Sequence, residues 1–115
     1  MSNNPNYMPL EKFKLDDMTK GWFIGNFEPS LLNTNDVEVG VKNYKAGDSE
    51  DFHYHKIATE FTLILNGTVE MSGEIFQNGD IIKIKPNVST NFKAITDVTT
   101  VVVKIPGASN DKYID

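Results

Sequence analysis

The sequence predicts an all-β fold. About eight short runs of alternating or β-branched residues follow one another between residues 37 and 106. Gly, Asn, Asp and Pro separate these runs at short intervals, which is turn chemistry. No stretch carries the three-and-four spacing of apolar residues that a long amphipathic helix needs. A sandwich or a barrel follows. Periodicity does not choose between a jelly-roll barrel and an immunoglobulin-like sandwich, because both limit exposed edges with many short antiparallel strands.

Taken in order, residues 1–9 are rich in Asn and Pro and read as a flexible arm. Leu10 to Met18 mixes apolar and charged residues and suits a short strand or turn as well as a short helix. Gly21 to Phe27 holds the only tryptophan, Trp22, beside Phe23 and Phe27. That much aromatic area needs cover: the outer face of the domain, a second subunit, or a place lining a ligand pocket. Turn formers at Glu28 to Ser30 and Asn33 to Asp36 mark a loop. Val37, Val39 and Val41 then alternate with Glu38, Gly40 and Lys42, the pattern of a half-buried strand ending at Tyr44.

Phe52 to Lys56 and Glu60 to Leu65 are the next two strands. The second ends at Asn66-Gly67, a hairpin signal, since the favoured two-residue turn needs positive φ at both positions. Thr68 to Met71 leads to Ser72-Gly73, and Glu74 to Phe76 leads to Asn78-Gly79, which reads as another such turn. Ile81 to Ile84, Phe92 to Ile95 and the strongly β-branched Thr99 to Ile105 complete the strands before Pro106-Gly107. The polar residues 108–115 are expected to wrap the surface.

With 115 residues the chain is one domain, and 39% hydrophobic against 23% charged residues is ordinary for a soluble globular protein. A net charge of −5 argues against nucleic acid as a partner, and no apolar run reaches membrane-spanning length. The absence of cysteine removes disulfides and thiol chemistry and fits a reducing, cytoplasmic setting. The first residues show neither the basic start nor the apolar core of a secretion signal.

The chemistry concentrates between Gly47 and Gly67, which contains both histidines of the chain. His53 and His55 are two apart, so on a strand both side chains leave from one face and can reach one ion. Glu60 lies an odd number of residues beyond His55 and reaches that face only if the chain turns or bulges within Lys56 to Thr59. Two imidazoles and a carboxylate suit iron, manganese, nickel or zinc, and leave coordination positions open.

The order Gly47, five residues, His53, one residue, His55, four residues, Glu60, six residues, Gly67 resembles the first conserved motif of the cupin superfamily at every fixed position. Gly79 to Phe92 is similar to the second motif in outline, departing from it at Lys85, Asn87 and Thr90, where cupins usually carry Pro, Gly and a metal-binding His. The resemblance implies a double-stranded β-helix, a jelly-roll barrel, over 37–106, with extra N-terminal strands at its edge. It also implies a divalent metal on His53, His55 and Glu60, with Thr90 at the position of the fourth ligand. Such added strands often pair with a second subunit, and a homodimer is expected, with Trp22, Phe23 and Phe27 covered there.

Strand parity makes Thr62 and Ile64 share a face with Glu60, and Phe92 and Ala94 share one with Thr90. These four, with Tyr44, are the candidate pocket lining for a small polar ligand. Tyr44 reads first as an ordinary packed aromatic, and Asn91, one position past Thr90, should face away unless a bulge re-aims it. Lys104 closes an apolar strand and is either a solvated lysine or an inward cation for an anionic substrate. Three functions stay open: a metal-dependent enzyme of dioxygenase, isomerase or lyase type; a metal-free sugar isomerase or epimerase with His53 as base, oriented by Glu60; and a non-catalytic binding or accessory barrel.

Overall fold

Short β-branched runs divided by turn formers become ten strands in the computed structural model, which describes residues 9–115. They are β1 (Trp22–Ile24), β2 (Glu38–Tyr44), β3 (Ser49–His55), β4 (Thr59–Asn66) and β5 (Thr68–Met71). β6 (Glu74–Gln77), β7 (Ile81–Ile84), β8 (Thr90–Ala94), β9 (Val98–Ile105) and β10 (Lys112–Ile114) follow. The arm expected over residues 1–9 lies outside the described residues but for Pro9. Leu10 to Met18 holds a single 3-10 turn, Leu15–Asp17.

Two five-stranded antiparallel sheets face each other, in the orders β1-β2-β9-β4-β7 and β10-β3-β8-β5-β6. Their inner faces meet in a core of Ile64, Val69, Met71, Ile84, Phe92, Ala94 and Val98. This apolar cluster closes one end of the barrel and leaves the other end to polar side chains. Among the described residues no helix is long and apolar enough to cross a membrane.

Three expectations are corrected. Asn66-Gly67 is not a hairpin, because β4 and β5 belong to different sheets. Gly67, with φ of 108°, swings the chain across, and a side chain there would strike the carbonyl oxygen of Asp97. Asn78-Gly79 is a turn, closed by the Asp80 N–H donating to the Gln77 carbonyl, but it likewise carries the chain from β6 back to the first sheet and so joins no hairpin. The two-residue hairpin is at Ser72-Gly73, where both φ values are positive (51° and 80°) and Met71 pairs with Glu74.

The third correction concerns residues 108–115. They do not merely wrap the surface: β10 pairs with β3, setting Lys112 opposite His55, Tyr113 opposite Tyr54 and Ile114 opposite His53. Stacked rings of Tyr54 and Tyr113, 5.5 Å apart, fix that register. Trp22, Phe23 and Phe27 are each partly buried within the chain itself.

Candidate functional site

The open end of the barrel is built on an irregular strand. In the pairing of β3 with β8, Glu50 stands opposite Phe92 and His53 opposite Thr90, so β3 has one residue more than β8 between the two pairs. This bulge reverses strand parity and puts both Glu50 and His53, three residues apart, on the inner face. It also supplies a hydrogen-bond acceptor. The His53 Nδ1–H donates to the carbonyl of Asp51, within the bulge, at 2.9 Å.

His55, two residues on, is buried. Its Nδ1–H donates to the backbone carbonyl of Asp111 at 2.9 Å. The chain then turns through Lys56 to Ala58, as the odd spacing to Glu60 requires. The Asp111 carboxylate holds this turn, accepting the backbone N–H groups of Lys56, Ile57 and Ala58 at 3.0–3.2 Å. Burial pushes the Asp111 carboxyl up, but these three amides, aided by His55, hold it below its ordinary value. One residue of the C-terminal segment thus orients His55 and sets the phase in which β4 begins.

Glu60 Oε1 lies 3.4 Å from His55 Nε2, and Glu60 Oε2 accepts the Thr62 hydroxyl at 2.8 Å. Burial pushes the Glu60 carboxyl up; the His55 and Thr62 hydrogen bonds and the charge of Lys104 outweigh it, and the group is held below its ordinary value. The pairing with His55 corrects the expectation that Glu60 orients His53.

These groups line a cavity of about 290 Å³ between the sheets. Tyr44, Thr62, Thr90 and Phe92 line it too, with Tyr44 and Phe92 in ring contact across the barrel at 4.5 Å. Burial, then the charges of Glu50 and Glu60, push the Tyr44 hydroxyl up, so it remains a hydrogen-bond donor. Ile64 and Ala94, expected in the lining, are instead fully buried in the apolar core, because the barrel closes before their level. Thr90 donates to the Asn91 carbonyl and accepts the Ser72 hydroxyl at 2.8 Å. Asn91 accepts the Ser72 N–H, so both residues brace the β5–β6 hairpin.

Sequence reasoning missed most of the charge around this cavity. Lys104 points inward, and Lys20, Lys42 and Lys112 join it, against Glu50 and Glu60. Trp22 lies among them, its ring 5.5 Å from Lys42 Nζ and 5.0 Å from Lys104 Nζ. The indole fits because its strand partner is Gly40; a Cβ there would stand 2.6 Å from a ring carbon. Alternation along β2 and β9 places Lys42 and Lys104 inside, a signal overshadowed by the default that a strand lysine faces water.

The donor set suits a divalent ion. Each histidine commits Nδ1 to a main-chain carbonyl, the outer support usual for metal-ligating imidazoles, and so keeps Nε2 as the nitrogen that can coordinate, in His55 at 3.4 Å from Glu60. Among the described residues, no three His, Asp or Glu side chains stand at metal-holding distance, since Glu60 is closed onto His55.

No family model and no curated protein matches the sequence. Solved structures do. A Klebsiella pneumoniae protein with a double-stranded β-helix domain is 19% identical over 99% of this chain and 95% of its own, with a TM-score of 0.67. An RmlC-like cupin from Shewanella frigidimarina is 18% identical over 70% of this chain and 73% of its own, with a TM-score of 0.59. The DMSP lyase DddQ from Ruegeria pomeroyi is 18% identical, with a TM-score of 0.65; the match spans 76% of this chain and 47% of that longer one. The chain has the cupin fold, as the Gly47 to Gly67 motif implies.

Proposed function

We propose that the cavity is a metal-dependent site for a small polar molecule, with iron, manganese, nickel or zinc held by His53, His55 and Glu60. The observation that carries this reading is the pair of Nδ1–H donations to the carbonyls of Asp51 and Asp111, which makes Nε2 the coordinating nitrogen of each ring, that of His55 already facing Glu60. A divalent ion there would supply Lewis-acid polarisation of a bound oxygen, or a place for dioxygen. The chain's own groups bind and orient the ligand. Tyr44 offers a protonated hydroxyl, Thr62 holds the Glu60 carboxylate, and the Tyr44–Phe92 contact closes the floor to water. Thr90, a neutral hydroxyl where related barrels carry a third histidine, leaves three protein ligands and more open positions. Lyase, isomerase and dioxygenase chemistry all suit this arrangement, and the likeness to a named lyase supports the first.

Elemental analysis of the protein, purified without chelator or metal-affinity steps, tests the reading. About one transition ion per chain, lost in His53→Ala, is expected. No ion, with none taken up on addition, overturns it.

A metal-free acid–base site is the second reading, favoured by the 3.4 Å approach of His55 Nε2 to Glu60. With Nδ1 donating to Asp111, the nitrogen of His55 that meets Glu60 is the one that would exchange a proton with a ligand. Turnover by chelated protein would select this reading.

A further inference from the structure

The cavity is basic in an acidic protein. The chain has a net charge of −5 and no arginine, yet four of its eleven lysines converge on one cavity shared with two glutamates. Lysines normally carry their heads into water, and gathering them is unfavourable without counter-charge. Among the described residues, one lysine–carboxylate pair spans this group, Lys112 with Glu50 at 3.4 Å. Lys42 Nζ donates to the Lys20 carbonyl, and Lys42 and Lys104 both face the Trp22 ring. Burial lowers the Lys42 ammonium from its ordinary value; Glu50 opposes this, and Lys20, Lys104 and Lys112 add to it.

A second observation is independent of charge. Thr100, 1% exposed, lines the same cavity, and its hydroxyl has no hydrogen-bond partner. It stands directly opposite Lys42 in the pairing of β2 with β9. Buried hydroxyls are almost always satisfied, so an orphan on a residue of the cavity wall, across the strand ladder from Lys42, is a group available to a polar ligand.

We infer that the cavity takes a small carboxylate-bearing molecule, with Lys42 and Lys104 supplying the charge and the Thr100 hydroxyl the buried hydrogen bond. The Trp22 ring lies within about 5.5 Å of both ammonium heads, so an anion held by them sits close to the indole. A carboxylate fits better than a phosphate, because the cavity offers neither an arginine fork, nor a helix N-terminus, nor a nest of backbone amides. The inference deepens the proposed function by naming the ligand class, and it rests on that reading for the location of the site but not for the ion.

The only tryptophan lies at the cavity, so its emission reports occupancy. The full chain is titrated with succinate, as isolated and after chelation, with its neutral analogue succinamide and inorganic phosphate in parallel. A saturable change with succinate and none with succinamide is expected. Lys42→Met and Lys104→Met should each weaken succinate about tenfold. Thr100→Val, which removes the orphan hydroxyl without changing shape, should weaken it while leaving the melting temperature equal or higher. Lys85→Met, at an exposed lysine away from the cavity, should change nothing.

A response of the chelated protein sustains the inference whether or not elemental analysis finds an ion. A succinate response that appears only when an ion is restored assigns the carboxylate to the ion and overturns the lysine site. Equal responses to succinate and succinamide, no response to succinate, insensitivity to both lysine changes, or saturation by phosphate alone each overturn it as well.

Discussion

Asp111 joins three amides of the turn to the ring of His55, so its removal should disturb a site to which it contributes no ligand. Its carboxyl is held below the ordinary 3.8 in the folded chain. A depressed carboxyl stabilises fully above its unfolded value, and that contribution disappears as pH falls through the folded one. Asp111→Ala should therefore cost about 2–3 kcal/mol at neutral pH. The gap to the parent should close as pH drops below about 4. Urea unfolding at a series of pH values reads this, and a gap undiminished in acid would show that the charge is not what holds the turn. Gly40 is the second telling residue. Gly40→Ala pushes a methyl group against the indole, and we expect a loss of about 1–3 kcal/mol with a red shift of Trp22 emission. Unchanged emission would mean that the indole does not rest on β2.

Among the elements, the two crossings between sheets differ in what they tolerate. Gly67 and Gly79 both have positive φ, but only at Gly67 would a side chain meet backbone. Gly67→Ala should destabilise by about 3 kcal/mol or more, and Gly79→Ala by about 1 kcal/mol. Thermal melts of the two variants compare them, and equal losses would show that φ alone decides. These elements also mark what could be read in advance. The break between His55 and Glu60 was legible, because with a period of two an odd spacing reaches one face only through a turn or a bulge. The bulge at Asp51 and Phe52 was not, since no Gly or Pro announces it. Asn-Gly twice suggested hairpins because a dipeptide encodes positive φ but not which sheet receives the next strand. β10 was missed for a different reason: three residues with one aromatic make no periodic pattern, and Tyr113 is informative only beside Tyr54.

The molecule as a whole divides into an apolar end that supplies stability and a polar end that supplies chemistry. Ile64→Ala, at the closed end, should cost about 2–4 kcal/mol, and His53→Ala, at the mouth, less than about 1 kcal/mol. Denaturant midpoints measure both, and a large loss for His53→Ala would make that histidine structural. The barrel class was legible from the strand count and motif, whereas the basic lining was hidden by a negative total, because net charge says nothing about where the lysines meet. The strand order has one more consequence. β9 lies between β2 and β4, and β10 completes the edge of β3. Neither histidine strand nor glutamate strand has its full set of neighbours until residues beyond 98 have been synthesised. During translation, then, β2 and β4 both lack the strand that joins them, and the barrel closes late, through pairings distant in sequence.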